Sequence, residues 1–308
     1  MNLMNINTKN TYCFMKNRTI TFVMLLSLAA LSVSCAKEDS VYPVGTNPFN
    51  GRFAPAKHIA KVENETRGVG PMGDDTTFLT DTWTWEEGLL KRVDMPDDNA
   101  REEYFYDEEG RIERLVYMMN TTIRREFDFS YEHGLLSQIS YDWGSSYRYQ
   151  VHFHYRANES YPYEMVTVRP LEDFLINLYG CDTLVQAWTL EWDQGNLVRA
   201  TADSMATYCT GFSSITYFYD NKPNPNMGHF TCDDIAHLGL LDNPACLSRN
   251  NLVCCVKYND YHGTITPIET FYTYQYLPDG FPSEVYYEPS PLFGYGSNLY
   301  CTQTLIYE

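Results

Sequence analysis

The feature that most restricts the fold is a pattern that recurs along the chain: aromatics, an acidic stretch, a glycine, then apolar residues two and five places later. It appears as WTWEEGLLKRV (Trp83 to Val93), YFYDEEGRIERLV (Tyr104 to Val116), FSYEHGLLSQI (Phe129 to Ile139) and LEWDQGNLVRA (Leu190 to Ala200). YQYLPDGFPSEV (Tyr274 to Val285) keeps the aromatics and the glycine, and HYRANESYPYEMV (His154 to Val166) places Ser160 where the glycine would be. Positions 88, 110, 134 and 160 lie 22, 24 and 26 residues apart, an internal repeat with drifting loop length.

Each copy reads as a β-hairpin. The aromatic run suits a strand with one distinct face, Asp107 can open a type I turn, and Gly110 supplies the positive φ of a following bulge. The apolar residues after each glycine (Leu90/Val93, Ile112/Leu115, Leu136/Ile139, Leu197/Ala200) are three apart. In a regular strand such residues face opposite sides, so either a bulge intervenes or both sheet faces are covered. Ile59/Val62 share the spacing and mark the first strand. The expected fold is mainly all-β: an array of antiparallel hairpins over 57–308 forming a large twisted or curled sheet. Whether it ends as a barrel, a sandwich or an open sheet stays open.

One or two short helical insertions interrupt the array. Leu171, Phe174, Leu175 and Leu178 have helical spacing up to Gly180. Near 217–255 a unit opens with Tyr217-Phe218-Tyr219-Asp220 but has two prolines instead of a turn glycine, and Thr231 can cap a short helix through Leu241.

The N-terminus is an address. Lys16 and Arg18, an apolar run from Ile20 to Leu31 and small residues up to Cys35 form a secretory signal over 1–35, with translation expected to start at Met15. The run falls below the ~20 residues a spanning helix needs. LSVSCAKEDS resembles a bacterial lipobox with Cys35 as the lipidated residue, although Leu31 stands four rather than three places before it. Multiple acylation there implies a stable membrane anchor, and Lys37-Glu38-Asp39 resembles the export signal of Bacteroidetes surface lipoproteins. The resemblance implies an outer-membrane, surface-exposed location, with VYPVGTNPFNGRFAPA expected to serve within a 36–56 linker.

Removing 1–35 takes away Lys9, Lys16 and Arg18 and no acid, so the net charge falls from −18 to −21. That field repels phosphate backbones and argues against a nucleic-acid partner. Of nine cysteines, seven lie between Cys181 and Cys301, as disulfides or as buried thiols.

Tyr-x-Tyr-Asp-x-x-Gly-Arg-Ile at 104–112 resembles the YD repeat of Rhs-type surface proteins. Together with the lipobox and Leu247-Ser248-Arg249-Asn250-Asn251, it resembles a domain family of unknown function in Bacteroidetes lipoproteins. Over roughly 57–308 the resemblance implies an antiparallel β fold and supplies no catalytic residue.

Chemistry-bearing groups are sparse. His152-Phe153-His154 puts two imidazoles on one strand face, and His229, Cys232 and His237 form a loose cluster, but neither matches a zinc pattern. No metal ligand, catalytic residue or cofactor is assigned. The remaining lead is an aromatic platform, with Tyr104, Tyr106, Tyr131 and Trp143 as candidate residues for stacking on a glycan or a protein partner. Packing of these rings into the sheet's buried face is the competing expectation. The resulting reading is a lipid-anchored, non-enzymatic binding or structural module, with a glycan-binding accessory protein or glycan-processing enzyme as the alternative.

Overall fold

In a computed structural model, residues 47–308 are described except 54, 71–72, 143–147, 171–182, 205, 208–211, 236–238, 243, 262–263 and 288–297. The helix expected at 171–180, Trp143, Cys35, Cys181, Cys209 and His237 lie outside the described residues. The strands are β1 Ile59–Gly70, β2 Gly73–Glu86, β3 Leu89–Met95, β4 Ala100–Tyr106, β5 Ile112–Met119, β6 Thr122–Glu132, β7 Leu135–Asp142 and β8 Arg148–His154. They continue as β9 Glu164–Pro170, β10 Thr183–Asp193, β11 Asn196–Ala202, β12 Phe212–Pro223, β13 Asn250–Tyr261, β14 Thr264–Tyr276, β15 Pro282–Tyr287 and β16 Asn298–Tyr307. All sixteen pair with their sequence neighbours, and β16 returns to β1, so the antiparallel sheet closes into a barrel. Of the three architectures the sequence left open, the chain adopts the barrel.

The repeat explains the geometry. Opposite every three-apart apolar pair the register slips by one: Lys91, Glu113, Ser137, Val198 and Ser283 are extra residues on the second strand of their hairpins. These bulges turn both members of each pair inward, and Leu90, Ile112, Leu115, Leu136, Ile139, Leu197 and Ala200 are all buried. The turns divide into two kinds. Asp107–Gly110 and Leu277–Gly280 close with 3.0 and 2.9 Å bonds from glycine N–H to carbonyl, and only the glycine has positive φ. At Glu87-Gly88, His133-Gly134 and Gln194-Gly195 both loop residues have positive φ, the primed turn that a two-residue loop needs to match strand twist.

All these turns lie at one end of the barrel, where a ring of hydrogen bonds joins each hairpin to the one before. Tyr106 Oη donates to Leu90 O (2.6 Å), Tyr131 to Ile112 O (2.7 Å), Tyr155 to Leu136 O (2.7 Å) and Tyr219 to Leu197 O (2.8 Å). Tyr274 donates to Leu252 O and Tyr307 to Pro282 O, both at 2.8 Å. The indoles of Trp85 and Trp192 complete the set through Ile59 O (2.7 Å) and Pro162 O (2.6 Å). In seven of the eight cases the accepting carbonyl belongs to the residue just before a bulge, where the ladder register breaks. Burial pushes the six phenols well above their usual range, so they stay protonated donors.

A barrel of sixteen strands commonly leaves an aqueous channel. Here two segments fill it. The insertion 224–249 between β12 and β13 contributes buried Phe230, Ile235, Leu240, Leu241 and Leu247. Of the helix expected from Thr231 to Leu241, the described residues include the helical segments Cys232–Ile235 and Gly239–Asp242, and 236–238 between them lie outside the described residues. The second filler corrects the expected linker boundary: Asn47 to Phe53 belong to the fold, with Phe49 and Phe53 in the core. Phe49 meets Phe153 and Trp192 edge to face, Asn47 Nδ2 donates to Ser160 O (2.7 Å), and Gly51 O accepts from Ile112 N–H (2.9 Å). Gly51, at φ 75°, lies so close to Tyr131 that a Cβ there would overlap the phenol. Two large rings outweigh the Pro/Gly/Asn composition that makes this stretch look like a spacer.

The outer face is charged. Arg114–Glu126, Arg148–Asp128, Arg92–Asp94, Arg101–Glu103 and His154–Glu164 pair at 2.7 to 2.9 Å on it. Membrane barrels carry the reverse polarity, apolar outward and polar inward, and a charged residue facing lipid at mid-depth costs about 2–4 kcal/mol for Arg or Lys. Large apolar side chains, among them Phe78, Ile123, Phe218 and Phe271, are exposed between these charges.

Tyr131→Phe removes one latch and leaves the Ile112 carbonyl without its donor, so unfolding free energy is expected to fall by about 1–3 kcal/mol. Arg114→Ala, which breaks an exposed ion pair, is expected to cost under about 1 kcal/mol. Urea titrations of both variants check the ranking.

Candidate functional site

The direction of the repeat aromatics decides the platform. Tyr104 is 3% exposed and points inward, while Tyr106 and Tyr131 are half-buried members of the latch ring. These three rings therefore form no exposed stacking surface, because their β-strand faces are the ones the barrel closes over. The acidic turn beside them is also structural. Asp107 accepts from the backbone N–H groups of Glu109 and Arg111 and from the Arg111 guanidinium. Partial burial opposes ionisation, yet those bonds hold its carboxyl below the usual range.

Tyr104 instead belongs to a buried polar cluster that joins the wall to the inserted segment. Its hydroxyl donates to Glu102 Oε2 (2.7 Å), and Glu102 Oε1 accepts from the Cys232 N–H (2.6 Å). With the hydroxyl proton engaged by Glu102, His229 Nε2 at 2.9 Å acts as donor to the Tyr104 oxygen, which assigns its neutral tautomer. His229 also stacks on Phe53 (5.0 Å, 25°) and packs on Trp83 (4.4 Å). Burial lowers its pKa to about 3. Arg125 reaches Cys232 Sγ at 3.1 Å. The sequence grouped His229 with Cys232 and His237 as loose metal-type residues. The structure brings the first two together with a carboxylate and a phenol, closed off from solvent and serving to seat the plug.

The other histidine pair faces outward around buried Phe153, with His154 on Glu164 (2.8 Å) and His152 on Gln150 (3.2 Å). Among the described residues no group of three His, Cys, Asp or Glu is placed to hold a metal. Cys232, Cys246, Cys254, Cys255 and Cys301 are thiols rather than disulfides, and all but Cys254 are buried.

Concave features among the described residues include a pocket of about 590 Å³ at the turn end of β6 to β8, lined by His133, Leu135, Tyr155 and Arg156, and two others. An open groove of about 750 Å³ crosses the outside of β2 to β6, lined by charged side chains and by Phe105 under the Arg114 guanidinium (4.7 Å). An internal cavity of about 220 Å³ lies between the inserted segment and the inner face of β13 to β16. Its wall carries Tyr272, Tyr274, Tyr287 and Gln303, and Asn224 and Asn226 face it from the plug. Tyr272 and Tyr287 stack across β14 and β15 at 5.4 Å. Gln303 Nε2 donates to Asn64 Oδ1 (2.9 Å), and Asn64 in turn donates to Asp81 (3.2 Å), so the amide is held in one orientation. Below it a small second core of Ile59, Val62, Val285 and Leu305 seals the seam between the first and last strands.

The sequence reading missed this site. Tyr274 was visible as a repeat aromatic, but which strands face the unfilled part of the lumen depends on where the insertion lies. The tyrosine alternation at 272, 274 and 276 was the only available signal.

No protein-family model and no curated protein matches the chain. Among solved structures, a porin-like protein from Bacteroides uniformis aligns at 12% identity over 81% of this chain and 98% of that one, with a TM-score of 0.47. A porin-like protein from Bacteroides vulgatus aligns at 11% identity over 82% and 99%, TM-score 0.36. A LolA superfamily protein from Nitrosomonas europaea aligns at 9% identity over 84% and 88%, TM-score 0.25.

Because folded His229 resists protonation until about pH 3, whereas an unfolded histidine protonates near 6.5, the unfolded state binds the extra proton between those values. Its contribution is intact above pH 6.5 and is lost as pH falls toward 3, at up to ~1.4 kcal/mol per pH unit. His229→Gln is expected to flatten the stability–pH slope in that window by about one proton relative to wild type, measured by denaturant titration from pH 7 to 4.

Proposed function

We propose that this chain is a lipid-tethered surface protein whose barrel stands in the aqueous phase as a binding module, neither a channel nor a catalyst. The observation that carries the reading is the polarity of the wall: ion pairs line its outside and an apolar plug fills much of its inside. Such a barrel gains nothing from entering lipid, so a membrane address requires a separate anchor, and Cys35 in its lipobox-like setting supplies one. The described chain begins at the tight-turn end, where Asn47 bonds the Ser160 carbonyl. A rigid closed wall with an internal cavity suits selective binding. Outer-membrane attachment facing outward follows the residues after Cys35, and the net charge of −18 disfavours nucleic acid.

Two measurements test this reading. Cys35→Ala is expected to abolish incorporation of labelled palmitate and to move the protein from the membrane to the soluble fraction, while unchanged membrane association would refute the anchor. In planar bilayers the wild-type protein is expected to add no conductance, and stable single-channel steps would overturn the water-standing barrel. Hydrolysis of a polysaccharide panel that depends on one carboxylate would favour the enzyme alternative instead.

A further inference from the structure

We propose that the luminal cavity beside β14 to β16 binds a single neutral sugar ring; this rests on the binding-module reading and names the ligand class. Size is the first constraint. About 220 Å³ is below the ~300–1,000 Å³ of pockets for drug-sized ligands and suits one ring rather than a chain. Charge is the second: among the described residues no lysine, arginine, aspartate, glutamate or histidine lines the cavity. An ionised ligand would lose its hydration there without a counter-charge, which is strongly unfavourable.

Chemistry then narrows the class. Tyr272, Tyr274 and Tyr287 put aromatic carbon into the wall, against which the C–H face of a pyranose can pack. The Asn226 side-chain amide offers donor and acceptor side by side, the complement of a hydroxyl that is both. Several of these groups are fixed in advance. Tyr274 is held by its latch to Leu252 O, and Gln303 is held through its Nε2, which leaves its Oε1 available. Asn226 is anchored by its backbone N–H on Asn224 Oδ1 (2.9 Å), while its side-chain amide makes no hydrogen bond among the described residues. Burial and the neighbouring Cys301 thiol push the Tyr287 hydroxyl up, so that wall stays neutral. A purely apolar ligand would strand the amides, and an anion would meet no cation.

The test uses the full chain in detergent micelles with D-glucose, D-galactose, D-mannose and N-acetyl-D-glucosamine, their disaccharides, and D-glucuronate as the charged counterpart. Saturation-transfer NMR and calorimetry are the readouts. At least one neutral monosaccharide is expected to bind with a Kd on the order of millimolar or tighter, with glucuronate at least about tenfold weaker. Asn226→Leu and Val285→Trp, the second filling the cavity, are each expected to weaken binding by about tenfold or more. Asn226→Leu lies on the plug surface and keeps the test informative if the tryptophan variant does not fold. Binding of the free ring above its disaccharides indicates an enclosed site, and equal binding of both places a glycan terminus there. No neutral sugar bound, or wild-type affinity in Asn226→Leu, overturns the proposal. That failure leaves the water-standing barrel intact, whereas bilayer conductance overturns the barrel reading itself.

Discussion

The ring of aromatic latches at the tight-turn end is the interaction on which the rest of the barrel depends. Backbone ladders alone let neighbouring hairpins slip, since any register satisfies the same donors and acceptors. A phenol or indole donating to the carbonyl before a bulge removes that freedom, because the carbonyl is presented only where the extra residue sits. In the hairpins closed by Gly88, Gly110, Gly134, Gly195 and Gly280, one glycine turn, one bulge and one aromatic therefore set turn, facing and register together. Tyr307 on Pro282 and Trp85 on Ile59 extend the same device to either side of the seam between chain ends. At the seam, Glu308 N–H on His58 O and Lys57 on Asp279 occupy the place where other hairpins have a covalent turn.

Closing sixteen strands creates a second requirement, a filling for the lumen. The insertion and the Phe49–Phe53 segment meet it from the tight-turn end, and the Glu102–Tyr104–His229 cluster fixes the insertion against β4. The filling is uneven. Around β3 to β12 the inward residues are mainly apolar and pack on an apolar plug, with the Glu102–Tyr104 pair among the exceptions. Around β14 to β16 and β1 they include tyrosine, glutamine and asparagine, which cannot bury their polar ends against leucine without cost. The cavity lies where these two inner surfaces fail to match.

Much of this was legible from residues that act locally. Gly110 and Gly280 announce their turns, and the three-apart spacing of Ile112 and Leu115 already demanded a bulge or a doubly covered sheet. What stayed hidden depends on distant partners. Nothing near Ile59 indicates that it pairs with Tyr307, so barrel and open sheet could not be separated. Phe49 and Phe53 lie among prolines, glycines and asparagines that read as spacer, and only the empty lumen they enter reveals their role. The direction of Tyr104 and Tyr106 was ambiguous for the same reason: alternation defines two faces, and closure decides which one is inside. Asp107 and Glu109 of the 107–110 turn, by contrast, needed only their contacts with Arg111 to be recognised as scaffold.

The candidate site and the seam coincide, and that has a physical consequence. Pairing β1 with β16 joins residues separated by nearly the whole domain, the most expensive closure in chain entropy and the slowest to form. The core beneath it is small, four buried residues against the much larger cluster on the opposite side. Local opening takes place where buried apolar contact is least. A cavity bordered by β15 and β16 therefore has its most yielding wall next to the seam, and a ligand held between Tyr287, Gln303 and the plug would tie that wall to the part of the fold that is already fixed. Occupancy of the lumen and closure of the barrel are then linked free energies, since anything bound only by the closed form stabilises it.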